Sequence, residues 1–254
     1  MRCLFCGADQ PEVLTFRTLL LAEDKTGFCR SCREQLAPIA VQNSCQLCGR
    51  DLSILDPKLV HEHICYDCTQ WKKSGRNGLY EKNYAAYHYN AFIKDILNQF
   101  KFRGDSVLAD GFADEMKKIF RRIKKEQRLK NSFSLFRPHD EEYVLVPIPL
   151  SMKRLAERGF NQAEVLAETL DMPILNALTR VKHEPKQSKK NRHERLMMRE
   201  TPFRLEKEYT SLIFGKKVLL IDDIYTTGAT MRLAAHALTN GNPLRVDSLA
   251  LIHG

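Results

Sequence analysis

Asp222 and Asp223 are adjacent carboxylates set directly after an apolar run, Val218-Leu219-Leu220-Ile221, and directly before Ile224-Tyr225-Thr226-Thr227-Gly228-Ala229-Thr230. Four apolar residues in succession suit a central parallel strand, buried on both faces. The threonines and the glycine mark a polar turn that leads into a helix. Backbone N–H groups at a helix start are free and carry the positive end of the helix dipole, so they form a phosphate site. Carboxylates a few residues away repel a phosphate, but they accept hydrogen bonds from the hydroxyls of a sugar attached to it. Strand, acid pair, turn and helix together predict a ribose-5-phosphate site.

A capped helix needs only one Ser, Thr or Asp. Two acids with three threonines around a glycine go beyond that need. The segment resembles the phosphoribosyl pyrophosphate (PRPP) signature of type I phosphoribosyltransferases. The resemblance implies that Asp222 and Asp223 bind the ribose hydroxyls. It also implies that Thr226, Thr227, Gly228, Ala229 and Thr230 hold the 5-phosphate, and that Mg2+ accompanies PRPP.

The cysteines carry a second chemistry. All eight fall in Cys-x-x-Cys pairs, Cys3/Cys6, Cys29/Cys32, Cys45/Cys48 and Cys65/Cys68, and none lies beyond Cys68. Two thiolates on one tight turn grip a tetrahedral zinc from one side, and a second turn closes the site. The last two pairs enclose 16 residues and the first two enclose 22, against a usual zinc spacing of roughly 15–20. A redox dithiol needs one such pair. A disulfide framework needs an oxidising compartment, and Met1-Arg2-Cys3-Leu4 is no signal peptide. Two structural Zn2+ sites are expected, with sequential pairing keeping each loop local and an interleaved pairing as the alternative. His61 and His63 could add ligands, although four cysteines already fill a site.

The elements that position these groups can be read around them. The chain has 254 residues and a net charge of +9, which favours an anionic partner. No run of 18 apolar residues occurs, so no membrane span is expected. The cysteine segregation predicts a double zinc ribbon over 1–70, a polar linker over 71–83 and a domain over 84–254. Trp71, at the linker's start, is read as a packing anchor for the ribbon. Strands are expected at Tyr84–Tyr89, Tyr143–Pro149, Ile174–Arg180, Phe203–Leu205, Val218 onward and Val246–Ile252. Helices are expected at Ala91–Phe102, from Asp105 or Ser106 to about Glu126, at Asn161–Leu170 and at Thr226–Thr239. Residues 128–142 read as an irregular connection. Strands alternating with helices predict an α/β fold with a mostly parallel sheet flanked on both faces.

Pro147-Ile148-Pro149-Leu150, Arg158-Gly159-Phe160-Asn161-Gln162, Lys101-Phe102-Arg103-Gly104-Asp105 and the cysteine-rich start sharpen the resemblance. Together with the PRPP signature they resemble the competence protein F family, which pairs an N-terminal zinc module with a type I phosphoribosyltransferase domain. The resemblance covers nearly the whole chain. It implies a late, cytoplasmic step of natural transformation, in which incoming single-stranded DNA is handled beside a helicase-like competence ATPase. A peripheral membrane position through that partner is compatible with it. Arg158 offers a forked donor where this fold holds pyrophosphate; Asn161 as a plain helix cap is the competing reading.

From Arg180 to Arg199 there are eight Lys/Arg and two Asp/Glu. Lys186, Lys189, Lys190 and Arg192 in this stretch are candidate nucleic-acid contacts. The stretch also resembles the loop that closes over PRPP. Relatives commonly show Arg-x-x-Asn there, but Leu196-Met197-Met198 follow Arg195, and the asparagine is absent. A phosphoribosyltransferase of nucleotide salvage and a non-catalytic PRPP sensor are the other functions this sequence suits.

Overall fold

The computed structural model describes residues 2–9, 27–75, 78–102, 105–131, 143–181 and 201–254. The body is a parallel sheet of β3 (Tyr80–His88), β4 (Tyr143–Pro147), β7 (Lys217–Tyr225) and β8 (Arg245–His253), in the order β3-β8-β7-β4. Its two faces are filled by alternating side chains. Leu145, Leu219, Ile221, Leu249 and Leu251 enter one core, whereas Val144, Val146, Val218, Leu220, Val246 and Ala250 enter the other. The unbroken apolar run of β7 is therefore two interleaved faces, as a central parallel strand requires.

The first core is covered by α3 (Ala91–Phe102), α4 (Ala113–Asn131) and α6 (Gln162–Glu168). On α3, Ile93, Ile96, Leu97 and Phe100 are buried along one helical stripe, and Asn90 Oδ1 accepts from the Ile93 amide. The helix expected from residue 105 or 106 begins as a 3-10 turn over Ser106–Phe112 before α4 takes over. Gly111, in the last turn of that segment, lies against the Phe28 ring, where a Cβ would approach to 2.5 Å, and glycine is a weak helix former. Helix α4 runs past Glu126 to Asn131, into the stretch expected to be irregular; 132–142 lie outside the described residues.

The second core is covered by α8 (Ala229–Leu238) and an antiparallel pair, β5 (Leu178–Arg180) with β6 (Phe203–Leu205). Strand β5 is shorter than expected, because Ile174 makes only an isolated bridge to Leu145. Helix α5 (Met152–Arg158), unread in the sequence, connects β4 to α6, and α7 (Thr210–Ile213) precedes β7.

The cysteine-rich segments carry α1 (Arg30–Glu34), the short pair β1 (Val60–His61) and β2 (Ile64–Cys65), and α2 (Tyr66–Lys73). Between the two cysteine clusters the chain lies along β3. The Ile39 amide donates to Ala86 O and the His88 amide to Ala37 O, which covers an otherwise open sheet edge. Among the described residues no helix is long and apolar enough to cross a membrane.

Candidate functional site

Strands β3, β4, β7 and β8 are parallel, so their carboxyl ends share one end of the sheet, where α/β folds bind ligands. Asp222 and Asp223 lie near the end of β7 and are half-buried. Burial and the neighbouring Asp223 charge push the Asp222 carboxyl well above the usual range. Asp222 Oδ1 accepts the Asp223 amide at 2.9 Å. Asp223 is ion-paired with Lys101, which reaches it from the last turn of α3.

Thr226, Thr227 and Gly228 form the turn, and Ala229 and Thr230 open α8. The helix was expected from Thr226 and starts three residues later, because Gly228 holds φ +77° and cannot be helical. A Cβ on Gly228 would lie 2.1 Å from Tyr225 Oη and 2.2 Å from Arg232 Nη1. No side chain caps the start of α8. Its first amides therefore face the turn without a side-chain acceptor, the arrangement that suits an anion.

Arg158 ends α5 and donates from Nη1 to Gln162 Oε1 at 2.8 Å. Burial lowers its pKa, while the nearby Asp223 and Asp222 charges oppose the shift. Asn161 caps α6, accepting from the Ala163 amide, and donates to Ile148 O at 3.1 Å. The capping role and the placement of Arg158 near the acids thus coexist. Arg180, at the end of β5, is close enough for Asp222 to act on it. Lys186, Lys189, Lys190, Arg192 and Arg195 lie outside the described residues.

The cysteines form two groups with sequential pairing, Cys3, Cys6, Cys29 and Cys32 in one and Cys45, Cys48, Cys65 and Cys68 in the other. Four thiolates at a Zn–S distance of about 2.3 Å stand about 3.8 Å apart in a tetrahedron. The sulfur separations are 3.8 Å for Cys3–Cys32, 3.8 Å for Cys6–Cys29 and 3.6 Å for Cys48–Cys65, so both groups could hold a metal ion. The Cys29 amide donates to Cys3 Sγ and the Cys65 amide to Cys45 Sγ. Burial pushes the Cys3 thiol up, but amides of Cys29, Cys6 and Phe5 outweigh it and bring it down to about 6. Neither His61 nor His63 belongs to a group.

Three further residues meet the site without having been singled out as site residues in the sequence. Lys101 touches Asp223. Arg50, ion-paired to Asp67 at 3.1 Å, extends Nη2 toward Thr226 O at 3.4 Å and Gly254 O at 3.2 Å. Trp71 is buried against the Arg232 guanidinium, and its indole N–H donates to Thr227 O at 2.7 Å. The partners are far apart in sequence, so no spacing could have paired them.

A phosphoribosyl transferase domain family matches residues 155–254. Competence protein ComFC of Bacillus subtilis is 39% identical over 98% of this chain and 94% of its own length. Competence protein ComFC of Streptococcus pneumoniae is 34% identical over 99% of this chain and 100% of its own length. Among solved structures, hypoxanthine phosphoribosyltransferase from Trypanosoma cruzi aligns with a TM-score of 0.34 and 16% identity, covering 57% of this chain and 68% of that one. The ComFC relatives match from the cysteine clusters to the last strand, and the chain belongs to the competence protein F family, with a phosphoribosyltransferase domain as its α/β body.

Proposed function

We propose that the chain binds PRPP, or another phosphoribosyl ligand, together with Mg2+ at the acid pair and the threonine turn. The observation that carries this reading is the run from the carboxyl end of β7 through Asp222 and Asp223 into an uncapped helix start. Ribose hydroxyls would donate to the two carboxylates, displacing Lys101 from Asp223. Amides and hydroxyls of Thr226 to Thr230 would hold the 5-phosphate, and Arg158 would face the pyrophosphate. Mg2+, when bound, supplies charge against the pyrophosphate beside two acids. The cysteine groups would each hold one structural Zn2+.

In the cell the protein would serve a late step of natural transformation, in the cytoplasm, on incoming single-stranded DNA and beside a helicase-like competence ATPase. The competence names of the relatives support this role. Lys186, Lys189, Lys190 and Arg192 would contact DNA phosphates, with binding that falls steeply as salt is added. Alanine at these four positions should flatten that salt dependence.

Titration calorimetry with PRPP and Mg2+ tests the site. The wild type should give a binding isotherm, and Asp222→Ala with Asp223→Ala should abolish it while the variant still unfolds in one cooperative thermal transition. Unchanged affinity in the double variant would remove the assignment. Pyrophosphate release in the presence of nucleobases separates a transferase from a binder.

A further inference from the structure

We infer that Trp71 and Arg50 are positioning residues that strap the second cysteine cluster onto the phosphate turn, so that this cluster, and not the first, sets the turn's geometry. The inference rests on the phosphoribosyl reading for its ligand and on contacts within the chain for its mechanism. Helix α2 starts at Cys65, its cap residue, and carries Cys68 and Trp71 one turn apart. The two sulfurs and the indole are thus fixed on one rigid element. Trp71 donates to Thr227 O, and Arg50, held by Asp67 of the same helix, reaches Thr226 O and Gly254 O.

Both turn carbonyls face the cysteine cluster. Adjacent peptide planes are rigid, so holding the carbonyls of Thr226 and Thr227 fixes where the next two amides, those of Thr227 and Gly228, point. A second set of contacts lies beneath. The Arg232 guanidinium lies over the Trp71 ring at 4.5 Å and the Tyr80 ring at 4.9 Å. Its Nη1 donates to Tyr225 Oη at 3.1 Å and to Gly228 O at 3.3 Å. From the other side, Asn83 Nδ2 donates to Cys48 O at 2.8 Å, and Ser248 Oγ donates to Asn83 Oδ1. The cluster is therefore hydrogen-bonded both to the sheet and to the turn. Because coupling between two sites is reciprocal, a ligand on the turn should also hold the metal in the second cluster.

The test uses the zinc-loaded 254-residue chain and the variants Trp71→Phe and Arg50→Gln. Phenylalanine keeps one aromatic ring and removes the N–H donor with the rest of the indole. Each variant should retain its zinc, weaken PRPP binding by about five- to tenfold, as expected for one lost hydrogen bond, and speed amide hydrogen exchange at residues 226–230. Exchange in β7 and β8 should stay at the wild-type rate, which a general loss of packing would not allow. PRPP should slow chelator extraction of one of the two zinc ions and leave the other unaffected. Wild-type exchange at 226–230 in both variants would overturn the strap. Absence of PRPP binding to the wild type would instead overturn the phosphoribosyl reading, and the exchange rates alone would then decide the strap.

Discussion

Around the first cysteine cluster Cys6 is exposed and Cys29 half-buried, whereas all four cysteines of the second are buried. Both clusters repeat the same motif and both are hydrogen-bonded to the body, the first through Asn90 Nδ2 donating to Gln35 O at 3.0 Å, but their attachments reach different parts of it. The first docks through aromatic packing, Phe28 edge-on to Phe112 at 4.9 Å and Phe5 edge-on to Phe92 at 5.1 Å. Its nearest ion pairs, Arg2–Asp9 and Arg30–Glu34, are solvent-exposed and contribute little. The second is attached by directed hydrogen bonds from Trp71, Arg50 and Asn83. Ring packing holds two bodies together but tolerates small slides. Directed hydrogen bonds transmit position, and among the described residues only the second cluster has them with the threonine turn at 226–228.

Removing one ligand from each cluster should separate them most strongly. Cys68→Ser should lower the main unfolding transition by about 10 °C or more, since a buried cluster shared with the core is lost. Cys6→Ser should release one zinc and loosen the N-terminal segment while leaving that transition within a few degrees of wild type. Scanning calorimetry with a zinc assay checks both. Equal effects would erase the asymmetry.

Two glycines sharpen the same comparison on a smaller scale. Gly228→Ala forces a left-handed backbone onto a residue with a Cβ and drives it into Tyr225 and Arg232. A loss of roughly 2–4 kcal/mol is expected, together with PRPP binding. Gly111→Ala meets the Phe28 ring beside the first cluster. It should cost roughly 1–3 kcal/mol and leave PRPP affinity unchanged. Denaturant titration and calorimetry on the pair decide this.

The smallest effect concerns Asp222. Its folded pKa is raised by burial and by the Asp223 charge, so the folded state holds that proton more tightly than the unfolded chain. Stability from this group is present at low pH and is lost as pH rises through the folded pKa. Asp222→Asn should therefore stabilise the protein at neutral pH by on the order of 1 kcal/mol, with the gain vanishing as pH falls toward the ordinary aspartate range. PRPP binding should fall in the same variant. Melting curves across pH that stay parallel for the two proteins would refute this account.

Much of the architecture was legible along the chain because it depends on near neighbours. The stripe of Ile93, Ile96, Leu97 and Phe100 repeats at helical spacing, and α3 spans the predicted Ala91–Phe102. The β6 strand likewise matches Phe203–Leu205. Four Cys-x-x-Cys pairs specify their own local turns, and the acid pair with its threonines lies within one strand–turn–helix. The helix after β7 was predicted three residues too early because the local preference of Thr226 to Gly228 is overridden by the left-handed Gly228 and the side chains packed over it.

What the sequence alone determined was the chemistry of short segments: thiolates in pairs on tight turns, and carboxylates ahead of a threonine turn and a helix start. Those depend on residue types a few positions apart, whose conformations are limited by local sterics and hydrogen bonding. Tertiary structure decided the partners: Lys101 on Asp223, Trp71 on Thr227, Phe28 against Gly111, and sequential rather than interleaved cysteine groups. Such contacts join residues with no common periodicity. They arise only when the sheet buries its two faces and brings distant segments into contact.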